Sequence, residues 1–172
     1  MSDEQEARSG NIRITGGCQC GAVRYALHEM PREPHICHCR MCQKAFGSYF
    51  APLTGVLQEK FELTRGRLNT YMSSDQTERG FCGRCGTPLT FRYLHSKFIA
   101  VSIGSLDEQE AIKPENQYGI EARIAWFADL PALPGDKTTE EDEPELARRI
   151  AASNHQHPDR DTDGWPPQGA SS

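Results

Sequence analysis

The sequence predicts a mainly β, antiparallel fold with a short helix near the C-terminus. Segments in which apolar and polar residues alternate recur between residues 22 and 127, and Gly, Pro or Asn separates most of them. No long pattern with the helical period of about 3.6 residues precedes residue 136. The 172 residues, 37% hydrophobic and 25% charged, have the composition of an ordinary globular chain. We therefore expect one domain built on antiparallel sheets.

Each predicted strand is a short segment of alternating apolar and polar residues. In 22–28, Val23, Tyr25 and Leu27 alternate with polar or small residues, as in a strand with one buried face. Further strands are predicted at 48–53, 61–66, 68–74, 87–94, 98–106 and 119–127. One turn of helix is predicted at 39–46.

The C-terminal region differs from the rest of the chain in charge. Residues 136–172 contain nine acidic and four basic residues, so the formal net charge of -5 lies entirely there. A short helix is predicted at 143–152, with Asp142 as N-cap and Pro144 in the first turn. Beyond it Pro, Gly, Asp and Ser dominate, which predicts disorder and solvated side chains for His155 and His157.

Charge and hydropathy argue against two classes of partner. Residues 1–135 contain fifteen acidic and fifteen basic residues, which predicts no nucleic-acid partner because they offer no basic field. The segment MSDEQEARSG has no feature of an export signal, and no run of about 18 apolar residues occurs, which predicts no membrane partner. We therefore expect a cytoplasmic protein.

Seven cysteines carry the strongest functional signal. Cytoplasmic thiols stay reduced, so these residues indicate metal binding or catalysis before disulfides. Cys-x-x-Cys turns two sulfurs toward one ion, and Gly83 and Gly86 let the backbone curl beneath them. The spacing therefore predicts zinc. The three clusters are GGCQCGA (Cys18, Cys20), CHCRMC (Cys37, Cys39, Cys42) and FCGRCGT (Cys82, Cys85).

Two histidines lie at the central cluster. Alternate side chains share a face on extended backbone, so His38 should point away from the ion that Cys37 and Cys39 share. His35 lies on the same side as Cys37, which makes it a candidate for a fourth ligand or for a group supporting the ligands.

The seven thiols divide between ions in two ways. One partition joins the Cys-x-x-Cys of the central cluster to that of the third and leaves Cys18, Cys20 and Cys37 over. The other forms a four-cysteine site from the first and third clusters and leaves the central three to a second ion. A four-thiolate zinc is closed and structural, whereas three protein ligands with an open position are typical of catalytic zinc. Only the second partition uses every thiol, and spacing alone does not choose between them.

The cysteine segments also carry a resemblance to a known family. GGCQCGAVRY, CHCRMCQKAFGSYFAP, RGFCGRCGTPLTF and the downstream EARIAWF resemble the glutathione-dependent formaldehyde-activating enzymes, a family that includes the centromere-protein-V-like proteins. The similarity covers residues 12–134 and every cysteine. The downstream segment departs from the usual form, with Ala125 where a Pro is common and Ala122 where a Ser or Asp is often found.

The resemblance implies a zinc domain of the β-tent fold over 12–134. Charge and composition predict an acidic tail over 135–172 that is partly helical or disordered. The resemblance also implies two zinc ions per chain, one structural and one catalytic. The implied ligands are Cys18, Cys20, Cys82 and Cys85 for the structural ion, and Cys37, Cys39 and Cys42 for the catalytic one. The expected partners are a small-molecule thiol such as glutathione and an aldehyde such as formaldehyde.

A zinc held by three thiolates suits a further sulfur ligand. The dication and three thiolates carry one net negative charge, so the centre activates water poorly and binds another thiol well. Addition of that thiol to an aldehyde gives an S-hydroxymethyl adduct, and the reverse cleaves a carbon–sulfur bond. The expected enzyme is therefore a carbon–sulfur lyase. The alternatives are a zinc- or redox-sensing protein and a protein-binding module without turnover.

Four other side chains are assigned supporting roles. Arg79 and Arg84 are expected to offset the negative charge of the four-cysteine site. Trp126 and Phe127 are expected in the core or in the wall of a pocket.

Overall fold

The computed structural model describes residues 12–137 and 141–165, and it confirms the mainly β prediction. In this part of the chain, ten strands form two sheets. Residues 1–11 and the portion of the predicted tail beyond residue 165 lie outside the described residues. The strands are β1 Ile14–Gly17, β2 Arg24–Leu27, β3 Arg32–Cys37, β4 Ala51–Leu57, β5 Phe61–Arg65, β6 Asn69–Ser74, β7 Thr77–Phe81, β8 Pro88–Tyr93, β9 Phe98–Ser102 and β10 Asn116–Tyr118.

The smaller sheet is antiparallel and has the order β1-β2-β5. All four residues of its middle strand are buried, including Arg24, although the alternation in the sequence predicts an exposed face. That prediction is wrong because Arg24 is paired: its guanidinium lies 2.5 Å from a carboxylate oxygen of Asp107 and 2.9 Å from one of Asp161. A charged side chain is tolerated in the interior when it is neutralised in this way.

The larger sheet has the order β10-β3-β4-β9-β8-β7-β6. Its strands pair antiparallel except at one edge, where β10 runs parallel to β3. This parallel pair places Tyr118 beside Cys37, and the His38 N–H donates to the Tyr118 carbonyl at 2.8 Å. The edge strand therefore brings the segment after residue 118 onto the central cysteine cluster.

The main hydrophobic core draws on both sheets, and a smaller cluster lies at the first α-helix, α1, which spans Arg40–Phe46. The main core includes Cys18, which follows β1 of the smaller sheet, and Cys82, which follows β7 of the larger sheet. The first and third cysteine clusters are therefore partly built into the interior. The buried side chains of the main core include Tyr25, Leu27, Val56, Leu89 and Val101, together with Cys18 and Cys82. The smaller cluster is formed by Cys42, Ala51 and Leu53, with Phe46, Phe91 and Ala100 packed against it.

Two α-helices are present among the described residues. Helix α1, Arg40–Phe46, matches the turn predicted at 39–46. Helix α2, Pro144–Ser153, matches the predicted C-terminal helix, but Glu143 occupies the N-cap instead of Asp142 and makes no side-chain capping bond. Proline at the first helical position is compatible with this start because it needs no hydrogen-bond acceptor. No helix in the described ranges is both long enough and apolar enough to cross a bilayer.

The strand predictions agree with the structure in most of the sheet core. The segments predicted at 22–28, 48–53, 61–66, 68–74, 87–94 and 98–106 overlap β2, β4, β5, β6, β8 and β9. The strand predicted at 119–127 is wrong. Gly119 adopts left-handed backbone, with φ of 65°, and the chain then forms two 3-10 segments, Ile120–Ala122 and Phe127–Ala132.

Candidate metal centres

Four cysteines from the two sheets converge at one point. Cys18 and Cys20 directly follow β1, and Cys82 and Cys85 lie in the turn between β7 and β8. Their sulfur atoms all lie within 4.8 Å of one another; the Cys18–Cys20 separation is 3.7 Å and the Cys20–Cys82 separation is 3.9 Å. Tetrahedral zinc with Zn–S bonds of about 2.3 Å requires sulfurs about 3.8 Å apart. The four-cysteine cluster therefore has the dimensions of a zinc site.

Backbone amides donate hydrogen bonds to two sulfurs of this cluster. The Val23 N–H donates to Cys18 Sγ at 3.2 Å, and the Arg84 N–H donates to Cys82 Sγ at 3.4 Å. Gly86 has a φ of 79°, which lets its own N–H reach the Cys82 carbonyl at 2.9 Å and closes the turn. The predicted curl of the backbone beneath the sulfurs is therefore confirmed at Gly86.

Two thiols of the four-cysteine cluster, Cys18 and Cys20, resist ionisation in the protein alone. Burial is the main cause that raises the pKa of Cys18 far above the ordinary value, and burial also raises the pKa of Cys20. Buried thiolates require a nearby positive charge, and a divalent cation supplies it. The donor set and its burial thus suit a metal ion better than free thiols.

Three further cysteines form a second cluster at the start of helix α1. Cys37 ends β3, Cys39 is the N-cap of α1, and Cys42 lies within α1. Their sulfurs also lie within 4.8 Å of one another, and no His, Asp or Glu of the described ranges joins them. Cys42 is buried and the other two are half-buried. The thiols are therefore grouped as in the second of the two partitions, and either cluster could hold a metal ion.

The ionisation of the three-cysteine cluster is uneven. Burial raises the pKa of Cys37 to about 12 and also raises that of Cys42. The pKa of Cys39 is lowered instead: burial opposes ionisation, but hydrogen bonds from Cys42 and Cys37 and the positive charge of Arg79 outweigh it. Cys39 is thus the most readily ionised thiol of the three.

The two histidines beside this cluster do not join it. The His38 ring is fully buried, with Nε2 3.0 Å from Gln117 Oε1 and the ring packed edge-on against Phe127 at 4.7 Å. Its predicted orientation away from the sulfurs agrees with these contacts. The His35 ring packs against Tyr118 at 4.8 Å, and its Nδ1 lies 2.7 Å from a backbone carbonyl. The structure therefore offers no support for His35 as a fourth ligand.

Gln43 holds the second cluster in place, and nothing in the sequence pattern identifies it. Its side chain is buried, and Nε2 donates to the carbonyls of His38 at 2.8 Å and Ala122 at 3.0 Å. Arg40 in turn donates to Gln43 Oε1 at 3.1 Å. These bonds fix helix α1 against the end of β3 and against the segment after β10. Only the three-dimensional arrangement brings the two carbonyls together.

Arg79 lies at the second cluster and not at the first. Its Nη2 donates to Cys42 Sγ at 3.5 Å, so the prediction that it offsets the charge of the four-cysteine site is wrong. The reason is strand geometry: Arg79 lies in β7 opposite Phe91, which packs with Cys42 beside α1. Arg84 does lie at the four-cysteine cluster, but through its backbone N–H.

Trp126 is not part of the core. The indole is 46% exposed and packs edge-on against Tyr49 at 4.8 Å, so the core assignment is wrong for this residue. Phe127 is half-buried and packs against the rings of His38 and Phe50. The Trp126 ring therefore lies at the surface, and the Phe127 ring packs against His38, the residue between Cys37 and Cys39.

The C-terminal segment packs against the four-cysteine cluster. His157 is only 4% exposed, and its N–H donates to the Gln19 carbonyl at 2.7 Å. Its ring lies so close to Gly21, whose φ is 76°, that a Cβ there would be 2.1 Å from the ring. The prediction of a solvated side chain is therefore wrong for His157 and agrees with the structure for His155, which is exposed.

Two further contacts attach this segment. The Trp165 indole N–H donates to the Cys20 carbonyl at 2.6 Å, and the Arg84 guanidinium lies 4.7 Å from the centre of the Trp165 ring. Asp161 accepts hydrogen bonds from Arg24 at 2.9 Å and from Arg13 at 2.7 Å. The predicted disorder beyond helix α2 did not anticipate these contacts, because the partners Arg13, Cys20 and Arg24 lie more than 130 residues away in sequence.

The chain is similar to known proteins over much of its length. The family model described as glutathione-dependent formaldehyde-activating enzyme matches residues 13–121. A curated protein of Schizosaccharomyces pombe, described as an uncharacterized lyase, is 33% identical over 84 residues, which cover 48% of this chain. The match spans 59% of the length of that relative. A crystal structure of a Rhodobacter sphaeroides protein aligns with a TM-score of 0.49 and 21% identity, over 60% of this chain and 98% of that one. Because the family model covers more than half of its 172 residues, the chain belongs to the family of glutathione-dependent formaldehyde-activating enzymes.

Proposed function

We propose that the protein is a zinc-dependent carbon–sulfur lyase. It condenses a thiol, glutathione or a relative of it, with formaldehyde or a related aldehyde, or cleaves the adduct in reverse. The three-cysteine cluster carries the proposal: its sulfurs lie within 4.8 Å of one another, and no fourth protein ligand occurs in the described ranges. Family membership supports the same chemistry.

Zinc is the metal that both donor sets favour, because soft thiolates select it over magnesium, calcium or manganese. In this proposal Cys18, Cys20, Cys82 and Cys85 hold a structural ion, and Cys37, Cys39 and Cys42 hold a catalytic one. When bound at the three cysteines, zinc supplies a positive centre that lowers the pKa of an incoming thiol.

The reaction balances without a further reactant. The thiol sulfur forms a bond to the aldehyde carbon, the carbon–oxygen double bond becomes single, and the thiol proton ends on the oxygen as a hydroxyl. The side chains that serve this step lie at the start of α1. Cys37 and Cys39 are half-buried, so a thiol from solvent approaches on their side, while buried Cys42 anchors the cluster to the core.

Exchange spectroscopy by NMR tests this proposal, because it measures interconversion of glutathione and S-hydroxymethylglutathione at equilibrium. We expect the zinc-loaded protein to accelerate the exchange in proportion to its concentration, and Cys39→Ser to lose about tenfold or more of that acceleration. Met41→Leu is the matched control, since Met41 is an exposed neighbour in α1. Equal acceleration by Cys39→Ser and the wild type would contradict the proposal.

Redox sensing is a second candidate function, and Cys39 favours it. This thiol is half-buried and has a lowered pKa, and thiolates are the form that oxidants attack. A sensor would release one zinc per chain under mild peroxide and take it up again after reduction by dithiothreitol. Retention of both ions under peroxide, together with catalysed exchange, would exclude sensing.

A further inference from the structure

Arg79 is a buried cation beside the three-cysteine cluster. It lies on β7, is 7% exposed, and its Nη2 donates a hydrogen bond to Cys42 Sγ at 3.5 Å. Nε donates to Ser73 Oγ at 3.2 Å, and the guanidinium carbon lies 4.9 Å from the centre of the Phe91 ring. These contacts on three sides fix the guanidinium against the cysteine.

The partners of Arg79 differ from those of Arg24, which is buried to a similar extent. Arg24 lies 2.5 Å from Asp107 and 2.9 Å from Asp161, two carboxylates that neutralise it. Across residues 12–137 and 141–165, no carboxylate pairs with Arg79, and its Nη1 is buried without a hydrogen-bond partner. A buried charge is stable only beside an opposite charge. The sulfur of Cys42 is the group in contact that can carry one.

We propose that Arg79 is the counter-ion of the three-cysteine centre and that it favours an anionic sulfur over a neutral donor as the fourth ligand there. The inference rests on the metal centre of the proposed function. A divalent ion with three thiolates carries one net negative charge, and a fourth thiolate raises this to two. The positive charge of one guanidinium in contact with Cys42 offsets one negative charge of the centre, with three thiolates or with four. Because it stabilises the doubly negative, four-thiolate centre more strongly, it favours the binding of the fourth thiolate. Arg79 acts through Cys42 and is a positioning residue.

Among the residues that the structure describes, no cationic side chain donates a hydrogen bond to a sulfur of the four-cysteine cluster. Its sulfurs receive backbone N–H groups from Val23 and Arg84, and the Arg84 guanidinium stacks on Trp165 instead. Amide dipoles are sufficient for a closed site, because its charge does not change during a reaction. At the proposed open site, the net charge changes when a thiolate ligand binds or leaves, so a full positive charge nearby stabilises the more negative state. The distribution of the two arginines between the clusters therefore matches the proposed division into a structural and a catalytic centre.

Arg79→Met tests the inference because it removes the charge and keeps an unbranched side chain. We expect the dissociation constant of zinc at the weaker of the two sites, measured by chelator competition, to rise about tenfold or more. In the cobalt-substituted protein, titration with 2-mercaptoethanol followed by visible absorption should show a similar loss of thiol affinity, and titration with imidazole a smaller one. Arg79→Lys, which keeps the charge, should recover most of the thiol affinity.

Arg92→Met is the matched control, because Arg92 lies on neighbouring β8 and pairs with Glu78 at 2.8 Å, away from both clusters. It should leave the zinc and thiol affinities unchanged. Without the weaker zinc, the wild type buries the charge of Arg79 unpaired, whereas Arg79→Met has no charge at this position. Removing that zinc should therefore narrow or reverse any difference in melting temperature between Arg79→Met and the wild type. A difference that is equal with and without that zinc would show a general packing role and overturn the inference.

The two proposals fail separately. Unchanged zinc and thiol affinities in Arg79→Met, with an active wild type, would overturn only the role of Arg79. A wild type that binds two zinc ions and thiol but catalyses no exchange would contradict the lyase function, while the charge dependence of the site would still support the counter-ion.

Discussion

Thr87 connects the two halves of the four-cysteine cluster. Its hydroxyl oxygen accepts a hydrogen bond from the Gln19 N–H at 3.1 Å, between Cys18 and Cys20, and lies 3.1 Å from Cys85 Sγ. Burial opposes ionisation of Cys85, but hydrogen bonds from the side chain and backbone of Thr87 outweigh it and lower the pKa of that thiol to about 6. One hydroxyl therefore supports both the position of the first cysteine pair and the thiolate of the second.

Thr87→Val keeps the shape of this side chain and removes its hydroxyl. We expect the free energy of unfolding to fall by about 1 kcal/mol, because the Gln19 N–H loses its acceptor. Zinc should leave the four-cysteine site faster, since Cys85 loses the bond that favours its thiolate. Urea denaturation and zinc transfer to a chromogenic chelator measure the two effects. Thr64→Val, on the exposed face of β5, is the control, and a Thr87→Val protein no different from it would contradict this role.

At the scale of elements, strands with a regular apolar pattern were predictable from the sequence. A strand whose geometry depends on the strand it pairs with was not. In β8, Leu89, Phe91 and Tyr93 alternate with Thr90 and Arg92, and β9 is a short apolar run, FIAVS. Strand β3 contains Pro34, and Glu33 has a φ of 52°, at a register break between Arg32 and His35. This irregularity in the strand depends on how β3 pairs with β4. The sequence of β3 therefore lacks the regular alternation of apolar and polar residues that predicts a strand.

The cysteine clusters show the same division between local and long-range information. Spacing identified which cysteines act together within each segment, because those geometries are local. The spacing left two partitions of the seven thiols open. The pairing of β7 with β8 and the position of β1 decide which cysteine segments come together, and the spacing contains neither. The sequence analysis assigned Arg79 to the four-cysteine site and not to the three-cysteine cluster for the same reason. The division at residues 134 and 135, the cytoplasmic location and the absence of a nucleic-acid partner stay predictions.

The docking of the C-terminal segment should depend on pH through His157. Burial lowers its pKa below the ordinary 6.5, and the positive charges of Arg24 and Arg65 act in the same direction, against the Pro158 carbonyl and Asp107. The docked state therefore favours the neutral ring. The contribution of His157 to the stability of the docked state is complete above about pH 6.5. It is lost as the pH falls through the lowered pKa of the docked histidine.

Trp165 reports this change when Trp126, the other tryptophan of the chain, is replaced by Phe. Between about pH 7.5 and pH 5 we expect the emission of Trp165 to shift to longer wavelength, as the indole leaves the Cys20 carbonyl for water. His157→Gln should remove the dependence on pH. His155→Gln, at an exposed histidine of the same segment, should behave as the parent protein. Constant emission in the parent would contradict the role of His157.

At the scale of the whole molecule, the two candidate centres have different structural consequences. The four-cysteine cluster joins the end of β1 in the smaller sheet to the β7–β8 turn of the larger sheet, and Cys18 and Cys82 belong to the main core. The three-cysteine cluster is local, since all three cysteines lie within residues 37–42. An ion at the first cluster would therefore cross-link the two sheets, whereas an ion at the second would fix only the start of α1.

Stepwise removal of zinc should separate these two roles. The free energy of binding a structural zinc is about 10 kcal/mol or more, comparable to the whole stability of a domain. Loss of the ion from the four-cysteine site should therefore unfold both sheets, while loss from the three-cysteine site should leave them intact. In a chelator titration we expect the first zinc to leave with little change in circular dichroism and the second to leave together with the β signal. Cys82→Ser should abolish the cooperative melting transition and Cys39→Ser should preserve it; release of both ions in one step with unfolding would contradict the assignment of separate roles.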